Sequence, residues 1–135
     1  MALRASNVKP RLKLFLSTAD LEGVFGEGKY RLLEAVRREG TLVSAARTLG
    51  RSYRKAWGDI RRAEQGLGRK LVEPSRGGPQ KGKTDLTPFA VCLVDAWTAY
   101  REETLKAMNK AFDRHLAGVV GPVPGARGRG GKRVR

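Results

Sequence analysis

The stretch 40–65 constrains this chain more than any other, because it has the pattern of two short helices joined by a tight turn. Apolar residues recur at helical spacing on both sides of a glycine. They are Ala45, Ala46 and Leu49 before Gly50, and Tyr53, Ala56, Trp57 and Ile60 after it. Small side chains at the crossing allow two helices to approach closely across a turn of three or four residues. The stretch therefore predicts a helix-turn-helix.

The ends of these helices carry the residue types that helix ends require. Gly50 fits the position after the first helix, where a left-handed backbone is needed. Ser52 is placed to cap the second helix with its side-chain oxygen. A support helix over 29–39 precedes them; Gly40 ends it, and Thr41 is placed to cap the next helix. The pattern therefore predicts a core of three helices.

The outer side of the second helix is basic. Its outward positions are Ser52, Arg54, Lys55, Gly58, Asp59, Arg61 and Arg62. A cationic helix face suits a polyanion, and an α-helix fits the major groove of DNA. The alternative is a solvated surface helix, which is the more common case for an isolated charge run. We expect this helix to end near Gln65, because Gly66 and Gly68 follow.

The formal net charge of +15 is concentrated in three segments. Residues 1–17 contribute +4, residues 51–86 contribute +6, and the residues after Leu116 contribute +5. Segments 18–50 and 87–116 are each neutral. A generally basic protein would not divide so cleanly, so the excess indicates a face that meets phosphates.

The remaining segments complete a fold that is mostly α with a small β-sheet. Alternating apolar residues predict a first strand over 11–16, and the polar, glycine-punctuated segment 18–28 reads as a connection. Strands over 69–73 and 84–87 enclose the Gly- and Pro-rich loop 74–83. These three segments predict a β-hairpin wing with a basic tip, and an ordinary flexible hairpin is the alternative.

A long helix over 88–116 begins at Thr87 and Pro88, since a hydroxyl can cap and proline suits the first helical position. Its apolar stripe advances by three or four residues along the whole length, and we expect a second copy of the chain to cover it. The residues expected in this dimer interface are Leu93, Trp97, Tyr100, Leu105, Met108 and Phe112. The alternative is a helix folded back on the core of its own subunit.

The chain then divides into four parts. We expect a flexible arm at 1–9, a winged helix-turn-helix at 10–87, a long dimerisation helix at 88–116 and a disordered basic tail at 117–135. The tail cannot bury enough apolar area to offset its chain entropy. A basic tail can add sequence-independent affinity for nucleic acid.

Several function classes find little support in the sequence. Cys92 is the only cysteine and His115 the only histidine, which predicts no disulfide, no metal site and no histidine base. The glycine pair in the wing lies between strands, which is the wrong context for a phosphate-cradling loop. No apolar run approaches the ~20 residues that span a bilayer. We expect a cytoplasmic chain that is not an enzyme and needs no cofactor.

The helix-turn-helix, wing and long helix together resemble the N-terminal DNA-binding domain of the ModE family of molybdate-responsive bacterial regulators, which is similar in turn to the LysR-type winged-helix domain. The resemblance covers about residues 12–116. The matching residues are the run 40–46 (Gly-Thr-Leu-Val-Ser-Ala-Ala), Ser52-Tyr53, Ala56-Trp57, Ile60, Leu71-Val-Glu73, Gly77-Gly78 and Leu86-Thr87. The family binds molybdate through C-terminal oligobinding domains, whereas this chain ends in a basic tail. The resemblance therefore implies DNA binding and transcriptional regulation without oxyanion sensing, and it leaves a separate molybdate-binding partner open.

The function predicted from these features is that of a dimeric, sequence-specific regulator of transcription on double-stranded DNA, located in the bacterial nucleoid. Base contacts are expected from Ser52, Arg54, Lys55 and Asp59. Phosphate contacts are expected from Arg51, Tyr53, Arg61, Arg62, Arg76, Lys81 and Lys83. The alternative is a nucleoid-associated or RNA-binding protein that uses the charge without reading sequence.

Overall fold

The computed structural model describes residues 7–75 and 82–121. The elements, in chain order, are β1 (Phe15–Leu16), β2 (Phe25–Gly26), α1 (Glu27–Glu39), α2 (Leu42–Thr48), α3 (Tyr53–Leu67), β3 (Val72–Pro74), β4 (Thr84–Leu86), α4 (Pro88–His115) and α5 (Ala117–Val120). Residues 14–99 form one compact unit, which contains the helix-turn-helix and the hairpin. The expected fold class, mostly α with a winged helix-turn-helix and a long C-terminal helix, is confirmed. The small β content forms two separate two-stranded antiparallel sheets rather than one.

The helix-turn-helix consists of α2 and α3, and its predicted end residues are confirmed. The Thr41 hydroxyl oxygen accepts from the backbone N–H of Ser44 at 3.0 Å, and the Ser52 hydroxyl oxygen accepts from that of Lys55 at 3.0 Å. Gly50 has φ of +69° in the turn, a conformation that a residue with a Cβ adopts only under strain. The turn is thus specified by residues within it.

Small and branched apolar side chains join the three helices. The members of this core from α1, α2 and α3 are Leu32, Leu33, Ala35, Val36, Leu42, Ala45, Ala46, Ala56, Ile60 and Ala63. Alanines at the crossing of α2 and α3 keep the two backbones close, as the sequence predicts. The N-terminal start of α1 is two residues earlier than expected, at Glu27.

The segment before α1 differs from the prediction. The first strand is limited to Phe15–Leu16, and it pairs antiparallel with Phe25–Gly26. Val24 and Phe25 are fully buried in the core, so the interpretation of 18–28 as a plain polar connection is wrong. Glycines and charged residues flank this apolar pair, which has no periodicity that would mark it as part of the core.

The C-terminal end of α3 also differs, because the helix continues through Gly66 to Leu67 and ends at Gly68. A Cβ built on Gly66 would overlap Cγ1 of Val24 and lie 2.5 Å from its Cβ. Gly66 is therefore the point at which α3 passes directly over the β1–β2 hairpin, and not a helix breaker.

The wing is an antiparallel hairpin in which Val72 pairs with Leu86, Glu73 with Asp85 and Pro74 with Thr84. The backbone N–H of Thr84 donates to the carbonyl of Gly40 at 2.8 Å, which fastens β4 to the end of α1. The predicted basic tip lies mostly in 76–81, outside the described residues.

The first half of α4 belongs to the core of the compact unit. The Thr87 hydroxyl accepts from the N–H of Ala90 at 3.1 Å and donates to the carbonyl of Lys70 at 2.8 Å, which confirms the predicted start. Ala90, Val94 and Trp97 are buried. The idea that this helix has no core of its own to cover its stripe is therefore wrong for this half.

Within 100–121 no residue is fully buried. The tail expected from residue 117 begins with a further helical turn, Ala117–Val120, so disorder from that position is wrong. The rest of the tail, like residues 1–6 of the arm, lies outside the described residues. None of the described helices combines the length and apolar character of a membrane span.

Candidate nucleic-acid interface

The outer face of α3 is the centre of the candidate site. Ala56, Ile60 and Ala63 anchor the opposite face of the helix in the core. Because the helix repeats every 3.6 residues, this anchor turns Arg54 and Gly58 directly outward. Both are exposed, and a Cβ on Gly58 would meet nothing within 4 Å. Within the part of the chain that the structure describes, the side chain of Arg54 forms no hydrogen bond or ion pair.

Asp59, predicted to contact bases, points instead to one flank of α3. Its side chain is only 14% exposed, and both carboxylate oxygens are engaged. Oδ1 lies 3.0 Å from Nζ of Lys55, and Oδ2 lies 3.3 Å from Nη1 of Arg51. The prediction of a base contact for Asp59 is therefore corrected, because its acceptor atoms already have donors within the domain.

Arg51 was expected on phosphates, and the structure gives it an internal role. Its guanidinium donates to Asp59 and, at 3.1 Å, to the carbonyl of Gly28 in the first turn of α1. The Arg51 side chain is 21% exposed. It fastens the turn before α3 to the start of α1, and a phosphate contact of Arg51 stays a prediction.

Lys29 extends this cluster and was missed by the sequence reasoning. Its ammonium donates to the carbonyl of Gly23 at 3.2 Å. Burial lowers the pKa of Lys29 from its usual 10.5, while the carboxylate of Asp59 acts in the opposite direction. The charges of Arg62, Lys55 and Arg51 lower the Lys29 pKa further. No pattern in α1 alone marks this lysine, because its partners come from distant segments.

The other flank of α3 carries an aromatic pair and a cation at intervals of four residues. Tyr53, 51% exposed, meets Trp57 edge to face with ring centroids 6.4 Å apart. The guanidinium of Arg61 lies 5.1 Å from the centroid of the Trp57 ring. This cation–π contact holds Arg61 along the helix surface.

Two more predicted phosphate residues are exposed. Arg62 donates to the carbonyl of Glu22 at 2.6 Å, which directs its guanidinium toward the segment before β2. Lys83 in the wing extends over the end of α1, where its Nζ would lie 3.2 Å from a Cβ on Gly40. Arg76 and Lys81 lie outside the described residues.

The predicted dimer residues separate into two groups. Trp97 is 3% exposed: it packs edge to face on Phe25 at 5.3 Å, and its indole N–H donates to Glu27. Its assignment to a dimer interface is therefore wrong, because no surface remains for a partner. Leu93 is partly buried against the same core. Tyr100, Leu105, Met108 and Phe112 lie in the second half of α4, where none is fully buried.

The geometry offers cation and hydroxyl donors on an exposed helix. The described residues contain no group of three or more His, Cys, Asp or Glu side chains placed to hold a metal ion.

Residues 28–90 match the family model described as "Bacterial regulatory helix-turn-helix protein, lysR family". This segment is a helix-turn-helix domain of the lysR family. Such domains occur in DNA-binding regulators of transcription. The matched range covers α1 to the start of α4, which includes the helix-turn-helix and the wing.

Comparison with curated relatives confirms the predicted resemblance to the ModE family. The chain is 33% identical over 81 residues to the molybdenum transport protein ModE of Herbaspirillum seropedicae, covering 60% of this chain and 30% of the relative. It is 32% identical over 95 residues to ModE of Azotobacter vinelandii, covering 70% and 35%. It is 32% identical over 83 residues to the molybdenum-pterin-binding protein MopA of Rhodobacter capsulatus, covering 62% and 31%. The chain thus spans about a third of the length of these relatives.

Two solved structures are similar to the lysR-type domain. One is a CbnR_DBD–DNA complex, with 22% identity, coverage of 67% of this chain and 94% of that chain, and a TM-score of 0.47. The other is ArgP from Mycobacterium tuberculosis, with 24% identity, coverage of 62% and 30%, and a TM-score of 0.45.

Proposed function

We propose that this chain is a dimeric, sequence-specific DNA-binding regulator of transcription that places α3 in the major groove. The observation that carries the proposal is the outer face of α3, where Arg54 and Gly58 are exposed on a helix fixed by its opposite side. A rigid helix with an unobstructed outer face fits a groove about 12 Å wide. Such a role places the chain in the bacterial cytoplasm, at the nucleoid.

Base reading is assigned to the N-terminal half of α3. Arg54 and Lys55 supply donors for guanine, and the Ser52 hydroxyl can still donate while its oxygen caps the helix. Gly58 allows the helix backbone to approach the base edges, because no side chain stands between them. Asp59 is left out of this set, because its two carboxylate oxygens already form ion pairs within the domain.

Phosphate contacts are assigned to the flanks and the wing. Arg61, held on Trp57, and the hydroxyl of Tyr53 lie on one flank of α3, and Arg62 lies toward the other. Lys83 supplies a cation from the wing. These contacts give affinity and orientation and carry little sequence information. Arg76 and Lys81 stay predictions for the same role.

Dimerisation is assigned to the second half of α4. Leu105, Met108 and Phe112 recur at intervals of three and four residues, and each is only partly buried in the single chain. In the single chain, the first half of α4 is buried against its own core. A second copy of the chain would bury the apolar residues of the second half. Two recognition helices about 34 Å apart would then read two half-sites on one face of the duplex.

The competing function is non-specific binding of nucleic acid through charge. The net charge of +15 favours it. The outward position of Arg54 on a helix anchored by its opposite face favours sequence reading, because a purely electrostatic binder needs no helix face of fixed orientation.

Two alanine variants test these roles against each other. Arg54→Ala should relax base preference at one position, at a cost of ~1–3 kcal/mol, with little change on random DNA. Lys83→Ala should weaken binding to all duplexes alike and reduce the salt slope by about one. The affinities of both variants are measured by titration at two salt concentrations with a random duplex and with a duplex enriched by the wild-type chain from random sequences, which is called the selected site. If the two variants behave identically, the assignment is refuted.

A further inference from the structure

Asp59 is an unusual neighbour for a surface that is proposed to meet phosphates. Its carboxylate pairs directly with Lys55 and Arg51, and its charge also acts on Lys29 through space. A negative charge in this position opposes the approach of any phosphate, whatever the sequence of the DNA.

The pairing with Lys55 has a second consequence. A lysine side chain has a long, flexible stem, and an exposed one loses rotamer entropy when it is fixed. The 3.0 Å contact with Asp59 holds the Lys55 ammonium one turn into α3 before DNA arrives, although 65% of the side chain is exposed. An ammonium that is already placed loses less freedom when it meets a base edge.

An ion pair between two fully exposed side chains on a helix restrains a lysine only weakly. Here the carboxylate is largely buried, and Arg51 links it to the carbonyl of Gly28 in α1. Because Arg51 fixes Asp59 from the α1 side, the position of Lys55 is tied to the domain and not only to its own helix.

We propose that Asp59 is a specificity-determining residue of the DNA contact: its charge weakens binding to all duplex DNA, and its pairing with Lys55 positions that lysine for the specific site. This inference rests on the proposed function. It gives Asp59 a role through Lys55 and Arg51, with no base contact of its own.

The proposal predicts changes of different size for two kinds of DNA. In Asp59→Asn, the released Lys55 and the lost charge should strengthen binding to random duplex several-fold and steepen the salt slope by about one. The affinity for the selected site should change much less, because better attraction is offset by the loss of a placed contact. The ratio of the two affinities, selected site over random duplex, should therefore fall several-fold.

Matched variants separate positioning from a general change of charge or stability. Asp95→Asn removes an equal charge and breaks an ion pair of 3.5 Å that joins α4 to α1, so it should leave the affinity ratio unchanged. Asp59→Glu should retain most of the ratio. Lys55→Gln should lower the ratio by itself, and adding Asp59→Asn should lower it no further. The full chain is titrated with both duplexes at two salt concentrations, after thermal unfolding has confirmed that each variant is folded.

Four results would overturn the inference. An unchanged ratio in Asp59→Asn, with the wild-type ratio intact, refutes it while leaving the proposed function standing. A parallel weakening on both duplexes, or equal effects of Asp59→Asn in the presence and absence of Lys55, shows that Asp59 only supports the fold. A wild-type chain with no preference for any sequence refutes the proposed function and this inference together.

Discussion

Gly66 gives the sharpest test of how α3 is seated on the rest of the domain. A methyl group at this position would overlap Cγ1 of Val24, lie 2.5 Å from its Cβ and lie 3.2 Å from its Cγ2. Val24 is 1% exposed and is held in the β1–β2 hairpin, so it has no free space in which to move. A β-branched side chain is also stiff about χ1. We therefore expect Gly66→Ala to displace the hairpin from α3.

The magnitude follows from two opposing effects. Alanine gains about 1 kcal/mol over glycine in a helix interior. Overpacking of a well-packed core costs about 1–3 kcal/mol, and three contacts with one immobile side chain place this case at the upper end. The net loss in the free energy of unfolding should be about 1–2 kcal/mol. For a unit of this size the loss corresponds to a fall in Tm on the order of 10 °C.

Gly58→Ala is the matched control, because it makes the same substitution in the same helix at a position where nothing lies within 4 Å. It should raise the free energy of unfolding by about 0.5–1 kcal/mol. Its new methyl group would also stand on the face assigned to DNA, so binding of the selected site should weaken although the protein is more stable.

Chemical and thermal denaturation followed by circular dichroism measure both variants. In the Val24→Ala background, Gly66→Ala should lower the free energy of unfolding by less than it does in the wild type. If Gly66→Ala is as stable as the wild type, or if the two glycine variants change stability in the same direction, the close approach of α3 to Val24 is refuted.

Two further predictions concern Lys29 and the second half of α4. Because the pKa of Lys29 is lowered, the folded chain releases this proton at a lower pH than the unfolded chain does, so the free energy of unfolding rises with pH in the window below 10.5. Lys29→Met should lack that rise. A difference in free energy of unfolding between wild type and variant that does not change with pH would contradict the prediction. Phe112→Asp should convert the dimer to a monomer without loss of helix content, measured by sedimentation and circular dichroism; a wild-type chain that is already monomeric would contradict the dimer.

The sequence predicted the parts of the fold that are specified locally. Helix caps such as Thr41, Ser52 and Thr87 act on backbone groups three residues away, and the structure has each of these bonds. The left-handed Gly50 is equally local. Because both partners of such contacts lie within one short window, residue type and spacing suffice to predict them.

Contacts between distant segments were not predictable in the same way. Phe25 meets Trp97, and Val24 meets Gly66, but nothing in 18–28 indicates which distant residue would cover an apolar pair. The apolar stripe of α4 continues past Trp97 without a break, so its pattern does not show where the helix leaves its own core.

The candidate site also has a part that local sequence predicts and a part that depends on contacts between distant segments. The pattern placed Arg54 and Gly58 on the outer face, since the apolar positions of α3 define the opposite side. It also placed Asp59 there, although this residue lies on the flank, close enough to Arg51 and Lys55 to be enclosed by them. Helical periodicity shows on which side of a helix a residue lies. It does not separate a side chain that points straight outward from one that lies on the flank.

The central claim is that the outer face of α3 reads DNA sequence. Repeated selection of the full-length wild-type chain on random duplexes, followed by titration of the enriched and random duplexes at two salt concentrations, tests it most directly. We expect an inverted repeat with half-sites about one helical turn apart, bound at least 10³-fold more tightly than random duplex. Binding of every duplex with equal affinity, weakening alike with salt, would contradict it.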